Sequence, residues 1–153
     1  MKKSILALIL ILLVPAAVLA SDIPWMSSKS DDQKATEAFN EGAKYSQAKQ
    51  YDKAIPLYQK AVKLNPKFAE AYSNLGFALR ETGKLDEGIK SYHKAIELKP
   101  DLVQAHEYLG VAYLKKGDKA SALKEYETLK KLDPKEAQEL WEEIEKYSQG
   151  GAK

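Results

Sequence analysis

This 153-residue chain contains two histidines and no cysteine, so its inventory of nucleophiles and metal ligands is short. His93 and His106 fall on different helices by periodicity and share no ligand spacing. The missing thiols exclude cysteine-ligated zinc, c-type haem attachment and dithiol redox chemistry. No phosphate loop, nucleophile elbow or zinc-protease motif is present in the sequence. The 22 acidic residues are interleaved with lysines at helical offsets, which is the pattern of a solvated face. The expectation is a chain with no catalytic residues, no metal and no cofactor, acting through its surface.

Charge and targeting narrow the partners. Lys2 and Lys3 precede an unbroken apolar run from Ile5 to Val14, which Pro15 interrupts. Val18-Leu19-Ala20 then offers the residues a signal peptidase reads, with Ser21 as the new N-terminus. The apolar stretch falls short of the ~20 residues that span a bilayer, so cleavage is favoured over anchoring. No cysteine follows the cleavage site, so lipidation there is excluded. Removing residues 1–20 takes away two lysines and no acid, and the formal charge of +2 falls to zero. A neutral mature chain does not suit nucleic acid or an anionic lipid surface. The expectation is an exported protein, periplasmic or secreted, with no nucleic-acid partner and no membrane contact after cleavage.

The elements that must carry such a surface are set by an internal period. Pro66, Pro100 and Pro134 lie 34 residues apart and close the phrases Leu64-Asn65-Pro66, Leu98-Lys99-Pro100 and Leu132-Asp133-Pro134. Gly42, Gly76 and Gly110 share the offset, as do Tyr58, Tyr92 and Tyr126. A period of this length belongs to helix–turn–helix units stacked in a solenoid. No stretch alternates as a strand would. Ser30-Asp31-Asp32-Gln33 reads as a capping box that opens the first helix. In the second unit a helix is expected from about Ala69 to Thr82, with a turn at Gly83-Lys84 and Asp86 as N-cap of a helix ending near Leu98. The third unit turns at Gly117 with Asp118 as the cap, and the first turns at Lys49-Gln50 without a glycine. Pro56, early in a second helix, predicts a small irregularity there. A glycine inside a helix costs about 1 kcal/mol against alanine. Three at one offset imply close helix approach beneath a bulky ring, with the tyrosines in the core.

The landmarks Gly42, Tyr45, Ala54, Tyr58, Ala61 and Pro66, repeated as Gly76, Leu79, Gly88, Tyr92, Ala95 and Pro100 and as Gly110, Tyr113, Ala122, Tyr126, Leu129 and Pro134, resemble the tetratricopeptide repeat. The resemblance covers residues 35 to 136. Leu79, Gly88 and Leu129 depart from the usual residues, and Ala38, Tyr72 and His106 stand where a tryptophan is common. It implies an all-α fold, an α-solenoid of three helix–turn–helix repeats plus a capping helix. The expected organisation is a signal peptide over 1–20, a tail over 21–31, a repeat domain over 32–148 and a C-terminal tail over 149–153. Within the domain, repeats occupy 35–68, 69–102 and 103–136, and the cap 137–148. Glu41 replaces Leu75 and Leu109 where no earlier repeat would cover it, and Ala137, Leu140, Trp141 and Ile144 give the cap its apolar face. Trp141 is expected to be buried under the cap.

The resemblance also places a concave groove lined by first helices. Its inward positions are Phe39, Asn40, Ala43 and Gln47, then Ser73, Asn74, Phe77, Arg80 and Glu81, then Glu107, Tyr108, Val111, Leu114 and Lys115. Phe39, Phe77, Val111 and Leu114 would form an apolar stripe, which usually marks a binding site. Asn40 and Asn74 could hydrogen-bond a peptide backbone. Relatives that clamp acidic chaperone tails use basic and asparagine residues. At the matching positions stand Phe39, Ala43, Asn74, Gln104 and Tyr108, of which only Asn74 fits. The resemblance therefore implies an adaptor for a protein or peptide partner of mixed apolar and polar character. A second reading is a homo-oligomer, with the apolar tail Ile23-Pro24-Trp25-Met26 of one copy in the groove of the next.

Overall fold

The computed structural model describes residues 29–150, so the signal-peptide and Ile23–Met26 readings lie outside the described residues. Seven helices follow one another: α1 (Asp31–Gln47), α2 (Tyr51–Leu64), α3 (Ala69–Glu81), α4 (Leu85–Leu98), α5 (Val103–Lys116), α6 (Lys119–Leu132) and α7 (Pro134–Gly150). There is no strand among the described residues. Helices pair as α1/α2, α3/α4 and α5/α6, each pair stacks on the next, and α7 packs on both α5 and α6. The result is the all-α solenoid that the period predicts.

Each helix pair is joined by the same backbone device. Lys49, Gly83 and Gly117 all adopt the left-handed conformation, with φ of 56°, 82° and 85°. The N–H of the following residue donates back to a carbonyl of the first helix: Gln50 to Tyr45 at 2.8 Å, Lys84 to Leu79 at 2.9 Å and Asp118 to Tyr113 at 2.9 Å. This satisfies carbonyls that a helix end leaves free. It also corrects the expected cap of α4. Lys84 is bound into the turn and the helix begins immediately after it, so Lys84 is the N-cap and makes no side-chain bond. Asp86 lies inside the first turn, where it pairs with Lys116 at 2.7 Å. At the same repeat position as Lys84, Asp118 does cap, accepting from the Ser121 N–H at 3.0 Å.

The capping box at Ser30 and Gln33 is formed, with both reciprocal bonds present. Pro56 sits inside α2 without ending it. At the far ends Asn65, Lys99 and Asp133 leave the helical conformation before their prolines, as the proline ring demands. The third proline is then used differently. Asp133 accepts from the N–H groups of Lys135 and Glu136, and Pro134 becomes the first residue of α7. The last helix thus starts ahead of residue 137.

The rings of Tyr58 and Tyr92 are fully buried over Gly42 and Gly76. The third copy breaks the pattern. Gly110 faces Leu140 of α7, while Tyr126 is half-buried and packs on Trp141 at 5.1 Å between ring centroids. Leu140 and Ile144 are buried, and Trp141 is half-buried. Leu75 and Leu109 are buried where Glu41 is exposed.

His106 joins three segments. Its Nε2–H donates to the Pro100 carbonyl oxygen at 2.8 Å, and its Nδ1 lies 2.7 Å from the Glu125 carboxylate. Both ring nitrogens face acceptors, so the imidazolium is the form that satisfies them. The bond to Glu125 raises the pKa above its ordinary value, against the opposing effect of burial. His106→Ala is expected to cost about 2 kcal/mol near pH 6, because it leaves buried acceptors unpaired. The folded-state pKa lies above the unfolded value of about 6.5. The contribution is therefore complete below that value and fades as pH rises through the folded pKa. Thermal melts of both proteins between about pH 6 and pH 9 should show the gap narrowing. A gap that stays constant would assign the stabilisation to packing instead of the charged pair.

Candidate functional site

First helices face the concave side, where α3 contacts α5 and α5 contacts α7. Between these three helices lies a depression of about 630 Å³, lined by Phe77 and Arg80 of α3, Glu107, Tyr108 and Val111 of α5, and Glu139, Leu140, Glu142 and Glu143 of α7. Phe77 and Tyr108 stand with ring centroids 5.1 Å apart, and Tyr51 meets the other side of Phe77 at 5.7 Å. These rings are held because one repeat period carries Phe77 onto Val111 and Asn74 onto Tyr108, so each unit adds one layer to the same face.

Arg80 is the centre of this arrangement. Its guanidinium lies 4.9 Å from the Phe77 ring and 5.5 Å from the Tyr108 ring, a cation–π geometry. Its Nε donates to Glu81 at 3.1 Å, and an Nη2 contact of 3.1 Å completes that pair. Only 8% of the side chain is exposed, and Nη1 has no hydrogen-bond partner among the described residues. Glu107 sits beside it. Burial pushes the Glu107 carboxyl up to about 7, and the charges of Glu136 and Glu139 push the same way while Arg80 opposes them. The Tyr108 hydroxyl accepts from Gln104 Nε2 at 3.1 Å, and burial raises its pKa.

Five residues expected in the groove, Phe77, Arg80, Glu107, Tyr108 and Val111, thus line one depression. The others do not join it. Ser73 is 0% exposed, and its Oγ lacks a partner among the described residues. The expectation that Ser73 faces the groove is corrected, because its small side chain is covered where the repeats stack. Leu114 is 6% exposed and belongs to the core that α7 closes with Leu140 and Ile144. It reaches the surface only at the bottom of a neighbouring hollow with Val111, Lys115, Glu143, Lys146 and Tyr147. Phe39 turns toward Phe68 and Tyr58, at 4.9 and 5.8 Å, so the stripe drawn through Phe39 and Phe77 is interrupted. Ala43 is half-buried. Asn74 is half-buried and does not line the depression, whereas Asn40 lies on a separate exposed surface with Glu37, Glu41, Lys44 and Tyr45.

The α7 contribution was missed by sequence reasoning. Glu142 and Glu143 read as a solvated face and Leu140 as core, yet the flank between those faces forms one wall of the depression. The signal was available in the spacing of Glu139, Glu142 and Glu143, which places the three on one side of a helix. His93 and His106 do not enter the groove. His93 Nε2 is 3.0 Å from the Tyr113 hydroxyl, and His106 is held by Pro100 and Glu125.

Comparison with known proteins gives consistent results. A family profile described as TPR repeat matches residues 42–83 and 78–117, and a second, described as tetratricopeptide repeat, matches residues 103–136. No curated protein matches the chain. Among solved structures, the TPR2B domain of yeast Sti1 in its pHsp70 complex is 30% identical, with a TM-score of 0.72 over 77% of this chain and 98% of that one. The first TPR of Spaghetti (RPAP3), bound to the HSP90 peptide SRMEEVD, is 27% identical, with a TM-score of 0.72 over 80% and 96%. MamA from Desulfovibrio magneticus RS-1 is 30% identical, with a TM-score of 0.61 over 64% and 55%.

Proposed function

The chain belongs to the tetratricopeptide-repeat family, and from that premise we propose that it is a non-enzymatic adaptor, exported from the cytoplasm, that holds a segment of a partner protein in its concave groove. The observation that carries this reading is the half-open aromatic and aliphatic wall of Phe77, Tyr108 and Val111. Val111 and Tyr108 rest on the core along one side and stay half-open along the other, and apolar surface left on a concave face usually serves a partner. The architecture adds support, since stacked repeats present extended binding surfaces and no built-in chemistry. The Spaghetti neighbour is bound to an HSP90 peptide, and the Sti1 neighbour is in a pHsp70 complex. The leader read over residues 1–20 is the ground for export.

Phe77→Ala/Val111→Ala tests the reading. Immobilised wild-type protein and the double variant are exposed to the same envelope extract, and captured proteins are quantified by mass spectrometry. Partners held through the groove should fall at least about tenfold with the variant, as expected for losing two apolar contacts of about 1 kcal/mol or more each. Circular dichroism confirms that the variant is folded. If both proteins retain the same partners in the same amounts, the groove is not the binding surface.

A further inference from the structure

We propose that the groove between α3, α5 and α7 takes a basic peptide segment, in which lysine or arginine flanks an apolar side chain. The inference rests on the groove reading above and goes beyond it by naming the chemistry of the occupant. Among the nine lining residues are four carboxylates and one guanidinium. That guanidinium is already engaged, because Arg80 holds Glu81 through Nε and Nη2 and lies against two rings. The charge left to face a ligand is therefore acidic.

The acidic groups differ in how they are compensated. Glu139 pairs with Lys135 at 3.1 Å and Glu143 with Lys146 at 2.8 Å, in both cases on the exposed flank of α7. Such exposed pairs are weak, so a ligand cation can exchange with them. Glu107 and Glu142 have no ion-pair partner within 4.0 Å among the described residues. Burial raises the pKa of Glu107, and the charges of Glu136 and Glu139 add to this against the opposing effect of Arg80. A ligand ammonium or guanidinium beside it would relieve that cost.

Two further features shape the occupant. Phe77, Tyr108, Val111 and Leu140 supply apolar surface for one side chain between the charges. Arg80 is more than nine-tenths buried at the wall of the depression, and its unpartnered Nη1 is covered by protein, so its charge is not presented to a ligand. An acidic peptide would meet the carboxylates of Glu139, Glu142 and Glu143 with no free cation in the lining to receive it. Like charges brought together in this way disfavour association.

The test uses three synthetic peptides of equal length with one Leu-Phe core, flanked by lysines, serines or glutamates. Binding to the purified protein is measured by fluorescence anisotropy at low and at raised salt. The lysine peptide should bind about tenfold or more tighter than the glutamate peptide at low salt, from two or three charge pairs of modest strength each. Raised salt should shrink that preference. Glu139→Gln/Glu142→Gln/Glu143→Gln should cut it to about threefold or less. Glu97→Gln/Glu127→Gln, on the second helices, should leave it unchanged. Equal or tighter binding of the glutamate peptide overturns the inference, as does a triple variant that binds the lysine peptide like wild type. The groove reading is judged separately. If Phe77→Ala/Val111→Ala weakens all three peptides equally but no charge preference exists, only the present inference fails. If that variant binds the lysine peptide like wild type, or if none of the peptides binds wild type, both readings fall.

Discussion

Deleting residues 137–153 is expected to leave a protein that is molten or poorly soluble, with no cooperative thermal transition in near-ultraviolet circular dichroism. The region removed contains Leu140 and Ile144, each 1% exposed, and the half-buried Trp141. Burial of large apolar side chains is worth about 1.5–3 kcal/mol each, so these three account for roughly 5 kcal/mol or more. A domain of this size holds only ~5–15 kcal/mol in total. The deletion also uncovers Leu114, Leu129 and the backbone at Gly110. Those surfaces then face water or another molecule. A truncated protein that melts at the same temperature as the parent would show that α7 is not a cap. Trp141 would then become the leading candidate for a partner contact.

Gly76→Ala is expected to destabilise by about 3 kcal/mol, while Gly42→Ala at the matching position of the first repeat should be close to neutral. A Cβ at residue 76 would lie 2.7 and 2.8 Å from two carbons of the Tyr92 ring and 2.9 Å from the Gly88 carbonyl oxygen. The ring is fully buried and the carbonyl is backbone, so neither can withdraw without moving a helix. Gly42 is looser, with 3.0 Å to the Tyr58 ring and 3.3 Å to Leu57 Cβ. There a shift of a few tenths of an ångström suffices, and the helix propensity gained on leaving glycine, about 1 kcal/mol, offsets it. Urea denaturation of both variants measures the difference directly. Equal losses at the two sites would mean that the Gly76–Gly88 backbone approach does not limit packing.

The repeat register made the helix pairs, the turns and most capping devices legible in the sequence. Ser30 with Gln33 and Asp118 with Ser121 are local signals that need no tertiary information. Asp86 misled because a good N-cap residue lay two places past the true one, and a backbone bond from Lys84 had already fixed where the helix begins. The groove was only partly legible, for a different reason. Phe39, Ser73 and Glu107 occupy one repeat position, yet one stacks on aromatic rings, one is covered and one is half-open. The next element in the stack decides the fate of each, and a repeat-by-repeat projection treats all three alike. Tyr126 shows the same dependence: Leu140 of α7 takes the space above Gly110 and the ring turns to Trp141.

One helix is shared by the core and by the groove. On successive turns of α7, Leu140 and Ile144 close the solenoid while Glu139, Glu142 and Glu143 border the depression. Occupancy and fraying are then linked equilibria. A ligand that touches those carboxylates binds only molecules whose last helix is docked, so it lowers the population of opened ends by mass action. Conversely, any change that loosens α7 weakens affinity without altering a single contact residue. Under the proposed groove binding, recognition would be conditional on the docking of α7.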